Sequence, residues 1–353
     1  MSQTRHKFIA CFIALSLCVP FFYITRQWAI NSGHGQDAIT PFVFTGLEGG
    51  IHSGHFKSLN TVWKPRVGAL SCAAMWLDIW NPTTDEGFED TCGSYHAVWF
   101  GATLLLMVLA LKEPIFPVMA VFAGTVYAIR VCTYNGFYNN VIIFPWDFPA
   151  MFFWALAFIL WQGKRYWPMV AAIVFGTIFK ESVALVAILL LFLPVPWRRR
   201  LVFFAVAFMS CLAVRLVLTL VVLGQPAIFT AGHSAFGSLW ASFTRFCAWE
   251  LHPHLNTILW CNGGLMLAVF FLTATDAEDF GIITVLALFA LLLTVTPILD
   301  NSSYEVRQWT DCLPVLAIYF QRKLYFQSQP YERMLSPGGI IRLSVPVTRK
   351  ILF

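Results

Sequence analysis

Long apolar runs make up most of the chain, and short polar stretches separate them. Such runs predict membrane helices, because a hydrocarbon core of about 30 Å needs about 20 apolar residues in a helix. Several runs are shorter than this, which is typical of broken or re-entrant helices that line a cavity. The pattern predicts an all-α, polytopic transmembrane helical bundle of about 8–10 membrane helices. The predicted helices are 8–25, 68–80, 95–111, 115–131, 147–162, 168–193, 201–223, 257–273, 281–298 and 309–320.

Composition supports a membrane protein. Of the 353 residues, 58% are hydrophobic and 12% are charged, whereas a soluble domain carries about 25% charged residues. The net charge of +5 does not indicate a nucleic-acid partner. In a membrane protein, the distribution of the basic residues among the loops is the informative property. Nine scattered Cys without a CxxC pair do not form a disulfide framework.

The first apolar run, 8–25, follows the basic stretch Arg5-His6-Lys7. A secretory signal peptide also begins in this way, but it ends at a cleavage site of small residues. Here the run ends in the bulky sequence Val19-Pro20-Phe21-Phe22-Tyr23. We therefore expect a retained first transmembrane helix.

A charged doublet, Lys180-Glu181, interrupts the apolar run 169–193. A charge at bilayer depth costs several kcal/mol, so such residues are paired or used in function. The run contains either one long tilted helix or a hairpin with the doublet at its tip. Basic loops flank both ends, at Lys164-Arg165 and Arg198-Arg199-Arg200. Because basic loops stay in the cytoplasm, the hairpin is favoured.

The same rule orients the whole chain, with the N-terminus in the cytoplasm and 68–80 not crossing the membrane. We predict a membrane domain, 1–320, with long outer loops at 26–67 and 224–256, and a basic cytoplasmic tail, 321–353. This topology places 14 Lys and Arg residues inside and six outside, with three more at membrane depth among the total of 23. The topology thus predicts a multi-pass integral membrane protein with its N-terminus in the cytoplasm.

Charged residues at the predicted outer face are the candidates for chemistry. Cations there would hold the oxygens of a phosphate-bearing lipid, and a carboxylate would take a proton from the acceptor. Each candidate has a structural alternative. Asp147 fits an N-cap before Pro149, Glu181 fits an ion pair with Arg215, and the Glu305–Arg307 pair fits a solvated loop. The candidates are Asp37, Asp147, Lys180, Glu181, Arg215, Glu305, Arg307 and Arg66.

The sequence alone does not decide whether the protein binds a metal ion. The spacings His52-x-x-His55 and His252-x-His254 suit a metal, but no Cys or His-Glu-x-x-His partner motif accompanies them. Carboxylates at the outer face are also suitable ligands for a divalent ion such as Mg²⁺ or Mn²⁺.

Two motifs resemble those of the GT-C glycosyltransferases, a group of multi-pass membrane enzymes. The first is Pro145-Trp146-Asp147-Phe148-Pro149-Ala150 at a helix start, and the second is Lys180-Glu181-Ser182 inside an apolar hairpin. A later Glu305-Val306-Arg307 before a final span is similar to a third element of the group. The resemblance implies a polyprenyl-phosphate sugar donor and a location in the bacterial inner membrane. It also implies an acidic base in the first outer loop, for which Asp37 is the candidate.

The leading hypothesis is thus a hexosyltransferase that moves a sugar from a polyprenyl phosphate to an envelope glycan or lipid at the outer face. Asp37, Asp147 and Glu181 would form its catalytic set, and Lys180, Arg307, Glu305, Arg66 and Arg215 would bind substrate. Two other classes stay open. One is a transporter or flippase of an amphipathic substrate, with Lys180, Glu181 and Arg215 as its site. The other is a non-enzymatic membrane assembly protein.

Overall fold

The computed structural model describes residues 3–33, 66–134, 146–223, 279–289 and 310–334. Within these ranges the chain is helical and contains no β-strand. The α-helices are α1 (Gln3–Gly33), α2 (Val67–Trp80), α3 (Asp85–Ala110), α4 (Ile115–Tyr134), α5 (Asp147–Gln162), α6 (Tyr166–Phe179), α7 (Trp197–Leu223), α8 (Asp279–Phe289) and α9 (Leu313–Met334). A 3-10 helix, Glu181–Phe192, follows α6.

Three helices are long and apolar enough to cross a membrane, and they lie within α1, α3 and α7. Large apolar side chains on these helices are exposed, including Phe8 and Phe12 on α1 and Met209 and Val221 on α7. Exposed apolar faces of this kind are expected where a helix contacts lipid. The chain is therefore a helical membrane protein.

Helices α1 and α3 are antiparallel neighbours, and they define two ends of the bundle. At one end, the Lys7 ammonium donates a hydrogen bond of 2.8 Å to the Leu109 carbonyl. At the other end, Arg26 pairs with Asp90. We call these the basic end (Lys7, Leu109) and the far end (Arg26, Asp90). In the middle, the Phe21 and Phe100 rings stack 4.0 Å apart.

Helix α6 and the 3-10 helix form the predicted hairpin. At the basic end, Phe203 on α7 packs against Tyr166, the first residue of α6. Arg200, also on α7, donates a hydrogen bond to the Leu191 carbonyl near the end of the 3-10 helix. Both arms therefore start and finish beside the start of α7, and Lys180 lies at the opposite end of the hairpin, at its tip. Phe192 also packs against Gly281 of α8, whose contacts with α9 place these hairpin ends at the basic end. A single tilted helix across 168–193 is excluded by these contacts.

The remaining helices run between the same two ends. The Gln321 amide on α9 donates to the Glu113 carbonyl just before α4. Lys323 pairs with Asp279 at the start of α8. Earlier in α9, Leu313 packs against Gly124 of α4, so α9 runs from the far end to the basic end. Helix α2 lies at the far end, where the Tyr95 hydroxyl donates to the Ala69 carbonyl.

Several boundaries differ from those predicted. The segment 81–94, between the predicted helices 68–80 and 95–111, is mostly helical, because α3 begins at Asp85 after Thr84, whose hydroxyl accepts a hydrogen bond from the Gly87 amide. This N-cap starts the helix ten residues before the apolar run, so acidic residues near Asp90 belong to its first turns. The tail predicted from residue 321 begins inside α9. The predicted span 257–273 and the loops 26–67 and 224–256 lie wholly or mostly outside the described residues.

Candidate functional site

Lys180 lies where the hairpin reverses. Helix α6 ends at Phe179, and the Lys180 backbone is extended, with φ −154° and ψ 134°. Its side chain is only 4% exposed and binds two carboxylates. The Nζ atom is 3.2 Å from Asp147 Oδ1 and 2.9 Å from Asp311 Oδ2. We call Lys180, Asp147 and Asp311 the lysine cluster.

Asp147 is an ion-pair partner and not an N-cap. The N-cap position of α5 is Trp146, which makes no side-chain capping bond, and Asp147 is the first helical residue. Its carboxylate is 4% exposed and faces Lys180. The N-cap interpretation of Asp147 was wrong, because the buried ammonium offers this carboxylate a stronger, charged partner than a backbone amide does.

Asp311 completes the cluster, and sequence reasoning missed it. This side chain is fully buried, and it accepts a hydrogen bond of 2.8 Å from the Ser182 hydroxyl as well as the contact from Lys180. One signal was present in the sequence. Asp147 and Asp311 each come shortly before a proline, Pro149 or Pro314, at the start of an apolar helix.

Glu181, the next residue in the chain, binds two arginines. Arg66, just before α2, forms a two-point pair with it, with Nε 3.0 Å from Oε2 and Nη2 bound to Oε1. Arg215 on α7 lies 3.8 Å from the same carboxylate, as the sequence suggested. The Arg66 guanidinium also lies 4.3 Å from the centre of the Trp146 ring. We call Glu181, Arg66 and Arg215 the arginine cluster.

Arg215 is incompletely satisfied. Its side chain is 9% exposed, and its Nη1 atom is buried without a hydrogen-bond partner. A buried donor without a partner costs about 1–3 kcal/mol, and more when it is charged. This Nη1 atom is the one that lies 3.8 Å from Glu181 Oε2, which is too far for a hydrogen bond, so a closer acceptor would satisfy it.

Counted over the six residues named here, the two clusters carry opposite surplus charges. Two carboxylates share one ammonium in the lysine cluster, for a sum of −1. Two guanidiniums share one carboxylate in the arginine cluster, for a sum of +1. The six described charges add to zero, which lowers the cost of keeping them in an apolar bundle. Exposure differs as well, since the Glu181 side chain is 43% exposed and Asp311 is fully buried.

The site lies below the far end of the bundle. Phe148, next to Asp147, packs against the rings of His96 and Phe100 on α3. His96 is six residues from Asp90, which corresponds to about 9 Å along an α-helix. The lysine cluster is thus inside the bundle, and the side chain of Lys180 is buried there. It is buried because two carboxylates from α5 and the start of α9 enclose it.

Five of the predicted site residues come together here, namely Asp147, Lys180, Glu181, Arg66 and Arg215. The other three, Asp37, Glu305 and Arg307, lie outside the described residues. In the described part of the chain, no group of three or more His, Cys, Asp or Glu side chains is arranged to hold a metal ion.

The fold and this site define a helical membrane protein with a buried network of charges at the tip of a hairpin. No protein-family model, curated protein or solved structure matches the chain.

Proposed function

We propose that the protein is a multi-pass membrane glycosyltransferase similar to the GT-C group. It would transfer a sugar from a polyprenyl phosphate to an envelope glycan or lipid. In this reaction the bond between the anomeric carbon and the phosphate oxygen breaks, and a bond to an acceptor hydroxyl forms. The acceptor's proton goes to a base, and the polyprenyl phosphate leaves as an anion. An enzyme of this type must hold a phosphate group and stabilise its charge in the transition state.

One observation carries this proposal. Counted over its three named residues, the arginine cluster has a surplus positive charge, and the Nη1 atom of Arg215, which lies 3.8 Å from Glu181 Oε2, has no hydrogen-bond partner among the described residues. A phosphate oxygen is the kind of acceptor that an arginine binds best, because the planar guanidinium presents several donors to it. Buried ion pairs are also weak contributors to stability, so a network of six charges is better explained by function than by folding.

The arrangement of charges favours an active site at the outer face. Exposed basic residues collect at the basic end, among them Lys112 after α3, Lys164 and Arg165 between α5 and α6, and Arg198 and Arg199 at the start of α7. Basic residues of short loops remain in the cytoplasm. The far end, with the charge network beneath it, would then face the outside of a bacterial inner membrane.

We assign a role to each residue, and the contacts support the assignment. Arg66 and Arg215 would bind the phosphate, and Glu181 would hold the two arginines in place between turnovers. Asp147 would shape the site by fixing Lys180. Asp147 and Glu181 are both engaged by cations, so neither is well suited to accept a proton. Asp37 remains the proposed base, with Glu305 and Arg307 as further contacts to substrate.

The direct test is an assay for release of polyprenyl phosphate. Purified protein in lipid nanodiscs is incubated with polyprenyl-phosphate hexoses and a membrane extract that supplies acceptors. We expect product from the wild type, at least about 100-fold less from Arg215→Gln, and a wild-type rate from Arg26→Gln. Arg26 is a matched control, because it pairs with Asp90 at the same end of the bundle. Equal rates for the wild type and Arg215→Gln would rule out the proposed phosphate site.

Transport of a lipid-linked substrate is the second candidate. It is favoured by the break between α6 and the 3-10 helix, which presents two charges inside the bundle. Broken helices with charges at their ends form the substrate sites of many transporters. A flippase would move a fluorescent polyprenyl-phosphate lipid between leaflets of a proteoliposome without releasing its sugar. Scrambling without sugar release would favour this function over the transferase.

A further inference from the structure

Two chain segments lie side by side at the basic end of the bundle, the turn between α5 and α6 and the start of α7. The ring of Trp167, the second residue of α6, packs edge-on against the Phe203 ring of α7, with 5.0 Å between ring centres. Farther along the same two helices, the Thr177 hydroxyl donates to the Cys211 sulfur at 3.3 Å. Helices α6 and α7 are therefore parallel neighbours, and both begin at the basic end.

Three cationic side chains surround this aromatic contact. Arg199 precedes Phe203 by four residues, about one helical turn, so both lie on the face of α7 that meets α6. Lys164 and Arg165 come immediately before α6 and so lie next to Trp167. All three cations are exposed, and Trp167 is 58% exposed. We call Lys164, Arg165, Trp167, Arg199 and Phe203 the basic surface.

The start of α7 extends beyond the level of α6. Phe203 is the seventh residue of α7, so the first residue of that helix, Trp197, lies about 9 Å farther along its axis. A phosphate group on the turn between α5 and α6 would therefore lie beside the first two turns of α7. Because both helices begin here, the partial positive charges of their N-termini add to the charges of the three side chains. The basic surface therefore favours an anion.

Apolar side chains continue from the basic surface along α6. Trp167, Ala171 and Phe175 are spaced four residues apart and are all exposed, so they form one apolar stripe on the helix. Phe175 is 56% exposed. A free phosphate ester would have no use for this stripe, whereas the acyl chains of a phospholipid would cover it. The anion that fits the whole surface is therefore a lipid headgroup.

We propose that the basic surface binds the headgroup of an anionic phospholipid with a single phosphodiester, such as phosphatidylglycerol. The apolar span within α7 begins at Trp197, which places the basic surface at the depth of the headgroups. Trp side chains favour this depth, and basic residues there attract anionic lipids. The inference concerns lipid binding alone and is independent of sugar transfer.

The backbone at Lys164 provides a variant that removes charge without disturbing the turn. Its φ of 57° lies in the left-handed region, where glycine fits at no cost and other residues are strained. The Lys164 amide donates to the Trp161 carbonyl at 3.0 Å, and the Arg165 amide donates to the Leu160 carbonyl at 2.9 Å. Lys164→Gly keeps these hydrogen bonds, so the turn should form at least as well as in the wild type.

The test measures phospholipid binding to the full-length protein in detergent by native mass spectrometry, which resolves each bound lipid. The probes are phosphatidylglycerol and phosphatidylcholine with the same acyl chains, and glycerophosphoglycerol, which is the headgroup without acyl chains. The variants are Lys164→Gly and Arg199→Gln. Lys112→Gln is the matched control, because Lys112 is an exposed lysine that follows α3 at the same end and lies outside the basic surface.

We expect the wild type and Lys112→Gln to bind phosphatidylglycerol at least about fivefold more tightly than phosphatidylcholine, since one basic residue near an anionic surface contributes about this factor. Lys164→Gly and Arg199→Gln should each weaken phosphatidylglycerol binding about fivefold and leave phosphatidylcholine binding unchanged. Lys164→Gly should unfold at the same temperature as the wild type or higher, so its weaker binding would come from the lost charge. Arg199→Gln tests the charge without any change in the turn.

Equal affinity of the wild type for the two phospholipids would overturn the proposal. A loss in Lys112→Gln as large as that in the other two variants would show attraction to net charge alone, and it would also overturn the proposal. Binding of glycerophosphoglycerol as tight as that of the lipid would identify a site for a free phosphate ester instead. Each of these results would leave the proposed sugar transfer standing, because its assay depends on Arg215.

Discussion

Replacing Lys180 with methionine should destabilise the protein more than any other single change in the site. Methionine has a similar length and fits an apolar bundle, but it removes the only ammonium within 4 Å of both buried carboxylates in the described part of the chain. Asp147 would lose its contact with Lys180, and of the described contacts of Asp311 the hydrogen bond from Ser182 would remain. The change in the free energy of unfolding of this variant therefore measures the cost of burying two carboxylates without the Lys180 ammonium.

The magnitude follows from the geometry. Carboxylate oxygens that lie 3.2 and 2.9 Å from one nitrogen are within about 6 Å of each other, and at an effective dielectric constant of about 20 their repulsion is about 3 kcal/mol. Measured losses for breaking a buried ion pair are about 3–5 kcal/mol. We expect Lys180→Met to lower the free energy of unfolding by about 3–5 kcal/mol.

The assay is unfolding in detergent micelles by titration with sodium dodecyl sulfate, followed by tryptophan fluorescence. The triple variant Asp147→Asn, Lys180→Met, Asp311→Asn removes all three charges together and should recover most of the loss, because no unpaired charge remains. If Lys180→Met were as stable as the wild type, the carboxylates would not be buried as charges. If the triple variant were as unstable as the single one, the loss would come from packing.

Two further predictions concern the hairpin and its orientation. Gly176→Ala should destabilise the protein by about 1–3 kcal/mol, since a Cβ atom there would lie 2.7 Å from Val183 Cγ1, whereas Gly163→Ala meets nothing closer than 3.4 Å and is the matched control. Equal stability of the two variants would contradict close packing of the hairpin arms. In a background without other accessible cysteines, a membrane-impermeant maleimide should label Asp90→Cys in intact cells and Lys164→Cys only in permeabilised cells. The reverse pattern would refute the proposed orientation.

Sequence patterns predicted the parts of the fold that local chemistry controls. Helix α5 has the predicted bounds 147–162, because proline and aspartate mark its start and a polar turn marks its end. The hairpin between Tyr166 and Phe192 was predicted from basic loops at both of its ends, and the structure confirms it. These signals lie within a few residues of the features that they predict.

The site itself depends on contacts that are distant in the sequence. Arg66 binds Glu181 across 115 positions, and Lys180 binds Asp311 across 131. Helix periodicity gives no information about such pairs. Arg66 was predicted to contact phosphate, but the pattern gave no sign that it would share Glu181 with Arg215. The roles assigned to Asp37, Glu305 and Arg307 remain predictions.

The second hairpin arm is a 3-10 helix, and this explains how it extends as far from the tip as α6 does although it has fewer residues. Helix α6 has 14 residues and the 3-10 helix has 12. At about 1.5 Å per residue, α6 is about 21 Å long, and an α-helical second arm would be only about 18 Å. The 3-10 rise of about 2.0 Å per residue extends that arm to about 24 Å. The added reach brings the Leu191 carbonyl to Arg200 while Lys180 and Glu181 stay at the tip, so the shorter arm spans the same depth as its longer neighbour.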